Sequence, residues 1–166
     1  MARLVLVGLP GVGKTSVAKE IAEHWHCEAL DTDEVFLAHV GVTPAAFLRT
    51  HDEPSFRLRE VDALATALDS AGVVATGGGV VCTPRGRELL ARAVTVWLDC
   101  DDDVLLERLG DVDRPLLGPD PDVTLVQLRV ERTAWYQEVS KVRVDASSSL
   151  AEVARVVMDE AKALTS

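Results

Sequence analysis

Eight consecutive residues near the start of the chain, Gly8-Leu9-Pro10-Gly11-Val12-Gly13-Lys14-Thr15, have the types and spacing needed to hold a run of phosphates. They match the pattern G-x-x-x-x-G-K-[ST]. Gly8 and Gly13 permit backbone angles and close approaches that a Cβ would forbid. The turn then aims successive N–H groups inward, at the positive end of the helix that follows. Lys14 is placed to reach the β- and γ-phosphates of a nucleoside triphosphate such as ATP, and the Thr15 hydroxyl to ligate Mg²⁺. An apolar strand precedes the motif and a helix follows it, which is the context this chemistry requires. That context sets aside the plain alternative of a glycine turn with a solvated lysine.

Asp31-Thr32-Asp33 ends a short apolar stretch and forms a second acidic element. One acid there can hold the waters around Mg²⁺ and the other can take the proton of an attacking hydroxyl. Either can equally N-cap the next helix. Asp99 is a rival, ending the apolar run VTVWLD, but it leads straight into Cys100-Asp101-Asp102-Asp103 and reads better as a solvated helix start. Arg57, Arg114 and Arg132 are each open to two readings, solvated cation or anion ligand. Arg57 has Glu60 three residues on, Arg114 sits in a proline- and glycine-rich stretch, and Arg132 lies four residues before Tyr136. Gly77-Gly78-Gly79 follows a strand end, where three glycines let a substrate approach the backbone.

The elements that must position these residues alternate regularly. Strands are expected at 3–7, 28–31, 73–75, 94–98 and 141–145. Helices are expected after Lys14, over 34–40, from Thr43-Pro44, over 53–71, from Thr83-Pro84, and over 101–109, 123–138 and 150–164. Ser149-x-x-Glu152 reads as a capping box for the last helix. Residues 110–122, GDVDRPLLGPDPD, read as an exposed mobile loop. Five strands alternating with helices imply a three-layer α/β/α fold, a parallel sheet covered on both faces, with its ligand site at the carboxyl ends of the strands.

The 166 residues suit one domain, 48% hydrophobic and 27% charged. A formal charge of −10 argues against a nucleic-acid partner, and obliges any anionic ligand to rely on local cations. No apolar run approaches the roughly 20 residues that span a bilayer. The amino terminus shows no cleavable leader pattern, so a cytoplasmic protein without a membrane partner is expected. Cys27, Cys82 and Cys100 have neither disulfide nor zinc spacing.

Taken in order, GLPGVGKT, DTD, FR, TGGG, RPLL and RxxxY resemble shikimate kinase from Val5 to about Asp145. The resemblance implies a five-stranded fold of the P-loop NTPase, nucleoside monophosphate kinase type, and transfer of the ATP γ-phosphoryl group to the 3-hydroxyl of shikimate with Mg²⁺. It assigns catalysis to Lys14, Asp33 and Arg114. Gly11, Val12, Gly13, Lys14, Thr15, Ser16, Arg108 and Arg114 would hold the nucleotide. Asp33, Arg57, Gly78, Gly79 and Arg132 would hold shikimate, and Thr15 with Asp31, through water, the metal. It further implies one domain over 1–166, acting as a monomer, with an acceptor subregion at 33–62 and a lid at 110–122. Departures from the family pattern fall at Leu48, where an aromatic often walls the acceptor pocket, and at Asp52-Glu53-Pro54-Ser55. Others lie between Arg108 and Arg114, and at Ser147 and its neighbours. Another small-molecule P-loop kinase is the alternative, such as a gluconate-type sugar-acid kinase, which could share the carboxylate clamp.

Overall fold

The computed structural model describes residues 4–70, 72–113 and 117–166. Strands β1 (Leu4–Val7), β2 (Ala29–Asp31), β3 (Val73–Ala75), β4 (Thr95–Asp99) and β5 (Val142–Asp145) form one sheet, ordered β2-β3-β1-β4-β5. Every pairing is parallel. β1, β3 and β4 are buried throughout because both of their faces are covered, which is why they read as unbroken apolar runs.

Eight helices complete the described chain: α1 (Lys14–Trp25), α2 (Thr32–Val40), α3 (Pro44–Thr50), α4 (Glu53–Leu68), α5 (Pro84–Ala91), α6 (Asp102–Asp113), α7 (Pro121–Val139) and α8 (Leu150–Thr165). The β1–β2 connection runs toward one edge of the sheet, while the β3–β4 and β4–β5 connections run toward the other. Right-handed crossovers therefore put α1 on one face and α5 and α7 on the opposite face. α8 returns to pack on α1, and α7 packs on β4, giving three layers. The main core is built from the strands with Val17, Ala18, Ile21, Val153, Ala154 and Val157. A separate cluster of Phe36, Phe47, Phe56 and Ala63 holds α2, α3 and α4 together.

Several boundaries differ from the sequence expectation. α2 starts at Thr32 rather than Glu34 because Asp31 caps it. α4 stops at Leu68, short of 71. A 3₁₀ turn at Val80–Cys82 carries no periodic signal and was not foreseen. Of the expected loop 110–122, residues to Asp113 continue α6 beyond a break at Gly110, and Pro121 already opens α7. Leu117 is buried rather than exposed. The capping box is half made: Ser149 accepts from the Glu152 N–H, but the Glu152 carboxylate turns to Arg155. Asp99 is corrected outright. It is the buried last residue of β4, bonded to Arg129 and Arg143, and not a solvated helix start.

Candidate active site

The sheet register brings the three chemical loops to one edge. Leu6 and Asp31 both pair with Ala75, so the loops after β1, β2 and β3 leave the sheet side by side. Thr76 ties them further, its N–H and hydroxyl both donating to the Leu6 carbonyl, at 3.2 and 2.9 Å. The Gly77 N–H donates to Thr32 Oγ1 at 2.8 Å.

Gly8 opens the phosphate loop at φ 151°, and a Cβ there would run into the Leu98 carbonyl of β4. Gly13, in the left-handed region at φ 99°, ends the loop and starts α1 without any side-chain cap. By contrast α2, α3, α4, α5, α7 and α8 are each capped by a side-chain oxygen. Helix α1 thus presents bare N–H donors and the positive end of its dipole to whatever enters the loop. Lys14 Nζ rests on the carbonyls of Gly8 and Leu9, at 2.7 and 3.0 Å. Burial lowers its pKa to about 8, against the opposing pull of Asp33 and Asp31. An arriving phosphate offers this ammonium an anion in place of two carbonyl dipoles.

Beyond the loop lies a cavity of about 470 Å³ lined by Gly11 through Val17 on one side and by Arg108, Ala146, Ser148 and Val153 on the other. Arg108 spans its mouth, donating to the carbonyls of Val12 at 3.1 Å and Ser148 at 3.3 Å. Thr15 Oγ1 donates to Asp31 Oδ2 at 2.6 Å, while Asp31 Oδ1 accepts the Asp33 N–H at 2.8 Å. Asp31 therefore caps α2, as one sequence reading has it, and also stands beside Thr15. A hydroxyl and a carboxylate are the hard oxygen donors that suit Mg²⁺.

The three glycines after β3 each face a different candidate side chain. A Cβ on Gly77 would sit 2.9 Å from Asp33 Oδ1, one on Gly78 would sit 3.2 Å from Arg132 Nη1, and one on Gly79 would overlap the Arg57 guanidinium. Asp33 as a residue is open to solvent, but protein crowds its carboxyl end. That desolvation, followed by the charges of Asp31 and Glu60, raises its pKa to about 6 despite Lys14. Arg57 Nη1 donates to Glu60 Oε2 at 2.7 Å and to the Gly79 carbonyl at 3.2 Å. Arg57 therefore pairs with its helix neighbour and also reaches the site. Arg132 is buried on α7 with no hydrogen-bond partner for its Nε. One turn on, the Tyr136 hydroxyl donates to the Gly78 carbonyl at 2.7 Å and pins the triplet to α7.

Sequence reasoning missed Glu60 as part of the site. It is 6% exposed, and burial raises its pKa against the pull of Arg57. The signal available was its position three residues after Arg57, which also fits a surface pair. At the departure near residue 48, Phe47 is the residue turned inward, packed edge-on against Phe36 at 5.5 Å, while Leu48 is exposed. Arg114 and the centre of the expected lid lie outside the described residues.

An uncapped helix end with a buried lysine, a carboxylate of raised pKa and two guanidinium groups, set at the carboxyl edge of a parallel sheet, define a P-loop phosphotransferase acting on a small anionic acceptor. The family model described as shikimate kinase matches residues 10–162. The shikimate kinase of Corynebacterium jeikeium is 40% identical over 159 residues, covering 95% of this chain and 85% of that one. That of Halorhodospira halophila is 39% identical, covering 95% and 92%. The structure of shikimate kinase from Acinetobacter baumannii in complex with shikimate superposes with a TM-score of 0.89 at 30% identity, over 95% of this chain and 90% of that one. The chain belongs to the shikimate kinase family.

Proposed function

We propose that the protein transfers the γ-phosphoryl group of ATP to the 3-hydroxyl of shikimate by means of the residues grouped around Gly77–Gly79. The observation that carries this reading is the convergence of Asp33, Arg132 and Arg57 on three successive glycines beside the uncapped end of α1. Arg57 and Arg132 supply guanidinium forks, the best match for a planar carboxylate. Asp33, with its pKa near 6, is ionised at neutral pH and basic enough to take the acceptor proton. Lys14 neutralises charge on the transferred group, and the bare N–H groups of α1 hold the remaining phosphate oxygens. Arg108 flanks the base, and Arg114 is assigned to the phosphates by the family resemblance alone.

Thr15 and Asp31, the latter through water, would hold Mg²⁺. Among the described residues no group of three or more acids, histidines or cysteines gathers to hold a metal unaided. The ion would therefore depend largely on the nucleotide, and it would supply neutralisation of phosphate charge. The remaining proposals are a single domain over 1–166 and a monomer working in the cytoplasm without nucleic acid or membrane. The charge of −10 favours the last of these, and no described helix is long and apolar enough to cross a bilayer.

An ADP-release assay with shikimate, quinate, gluconate and a nucleotide panel tests the acceptor. Turnover should depend on shikimate, and Arg57→Ala or Arg132→Ala should raise its KM by an amount corresponding to about 2–5 kcal/mol. Turnover with gluconate alone would reject the proposal.

A further inference from the structure

Arg129 lies outside the group of side chains around Gly77–Gly79, yet its guanidinium group bonds three residues of the β4–α6 connection. It lies on α7, one turn ahead of Arg132. Its Nη1 donates to Asp99 Oδ1 at 2.9 Å, its Nη2 to the Cys100 carbonyl at 2.7 Å, and its Nε to Asp102 Oδ1 at 2.8 Å. Those acceptors are the last residue of β4, the residue after it, and the first residue of α6. The other Asp99 oxygen is held by Arg143 of β5, at 3.1 Å from Nε and 2.8 Å from Nη2.

The two helices joined at this point carry opposite halves of the site. α6 brings Arg108 and Leu109 to the nucleotide cavity, less than two turns from Asp102. α7 brings Arg132 and Tyr136 to the glycine triplet. A guanidinium is a rigid plane with donors at fixed angles, so three bonds from one group set both distance and orientation. A buried ion pair is weak evidence for stability, and here Asp99 would keep Arg143 even without Arg129.

We propose that Arg129 is a positioning residue that fixes α6 against α7, and with them the spacing of Arg108 from Arg132. The proposal rests on the assignment of those two arginines to nucleotide and acceptor.

The test compares Arg129→Met, Arg129→Lys, Asp102→Asn and Arg132→Ala at a temperature where calorimetry shows each variant folded. Arg129→Met should raise the shikimate KM and the calorimetric ADP Kd together, each about tenfold, as a small displacement of binding groups does. Its kcat should stay within about threefold of the parent. Lysine should restore only part of the loss, because a point charge cannot span three acceptors. Asp102→Asn keeps an oxygen acceptor for Arg129 Nε but removes the charge that strengthens the bond, so it loosens only the α6 end. It should weaken ADP about threefold and leave the shikimate KM at the parent value.

Parent values of KM and Kd in folded Arg129→Met would overturn the proposal, as would a fall in kcat at constant KM. If Arg129→Met does not fold, Asp102→Asn decides, and parent ADP affinity in it overturns the proposal. A parent shikimate KM in Arg132→Ala would sink the site assignment instead. A raised KM in Arg132→Ala beside an unaltered Arg129→Met would sink the junction alone.

Discussion

Asp33 stands among Asp31, Glu60 and Lys14, and its crowded carboxyl holds a proton up to about pH 6. That elevation favours proton transfer and disfavours the fold, and both consequences can be measured on one variant. The raised pKa means the folded chain binds a proton more tightly than the unfolded one between about 3.8 and 6. This group's contribution to stability is therefore lost as pH rises through that window. Asp33→Asn should be more heat-stable than the parent at pH 7–8, with the gap closing toward pH 4, where the parent carboxyl is itself neutral. Its kcat should fall by about 10²–10⁴ if Asp33 is the base. In the parent, kcat/KM should decline as pH drops through about 6. Scanning calorimetry across pH and steady-state rates check both arms. Undiminished turnover in Asp33→Asn would remove Asp33 from the chemistry.

Among elements, local signals were legible and distant pairings were not. The phosphate loop, the Thr43-Pro44 and Thr83-Pro84 helix starts and the Ser149 cap involve residues only a few positions apart, so the sequence displays them directly. Asp99 was misread because what makes it a buried strand end, Arg129 and Arg143, stands 30 and 44 residues away. The glycine triplet reads in the sequence as open space, but which side chain faces each glycine depends on the packing of α2, α4 and α7. That packing separates two substitutions that look alike in sequence. In Gly8→Ala the new methyl meets the backbone of β4 at a strained φ, and neither can move. In Gly79→Ala it meets the flexible end of Arg57. Gly79→Ala should therefore fold with a loss below about 1 kcal/mol. Its shikimate KM should rise roughly 30-fold as Arg57 is displaced from the carboxylate. Its ADP affinity, read by calorimetry, should not change, and a parallel loss of ADP binding would show that the triplet serves the nucleotide as well.

At the scale of the molecule, the parallel sheet and its layering were legible because strand and helix periods alternate cleanly, but the division of the interior into two cores was not. Phe36, Phe47 and Phe56 are scattered over 21 positions (36 to 56) and fall on three helices, so no single window shows them as a set. Their rings meet at 5.5 to 6.3 Å in edge-on and tilted arrangements. This cluster is distinct from the main core beneath the phosphate loop. The helices it joins carry Asp33, Arg57 and Glu60, whereas Lys14, Thr15 and Arg108 stand on elements packed into the main core. Asp33 and Arg57 thus draw part of their rigidity from a cluster the nucleotide side does not share, although α4 also reaches the main core through Leu64, Ala67 and Leu68. Phe36, at the centre of the small cluster, is the residue to probe, because Phe36→Leu keeps an apolar side chain and removes the ring contacts. It should cost about 1–3 kcal/mol of stability. The shikimate KM should rise several-fold, the effect of a loosening of Asp33 and Arg57 well below an ångström, since about 1 Å can cost roughly a hundredfold. ADP should bind with parent affinity, since among the described residues none that lines the nucleotide cavity belongs to the Phe36 cluster. Equal losses for both ligands would mean that the two cores yield as one, and the acceptor subregion would then have no mechanical independence.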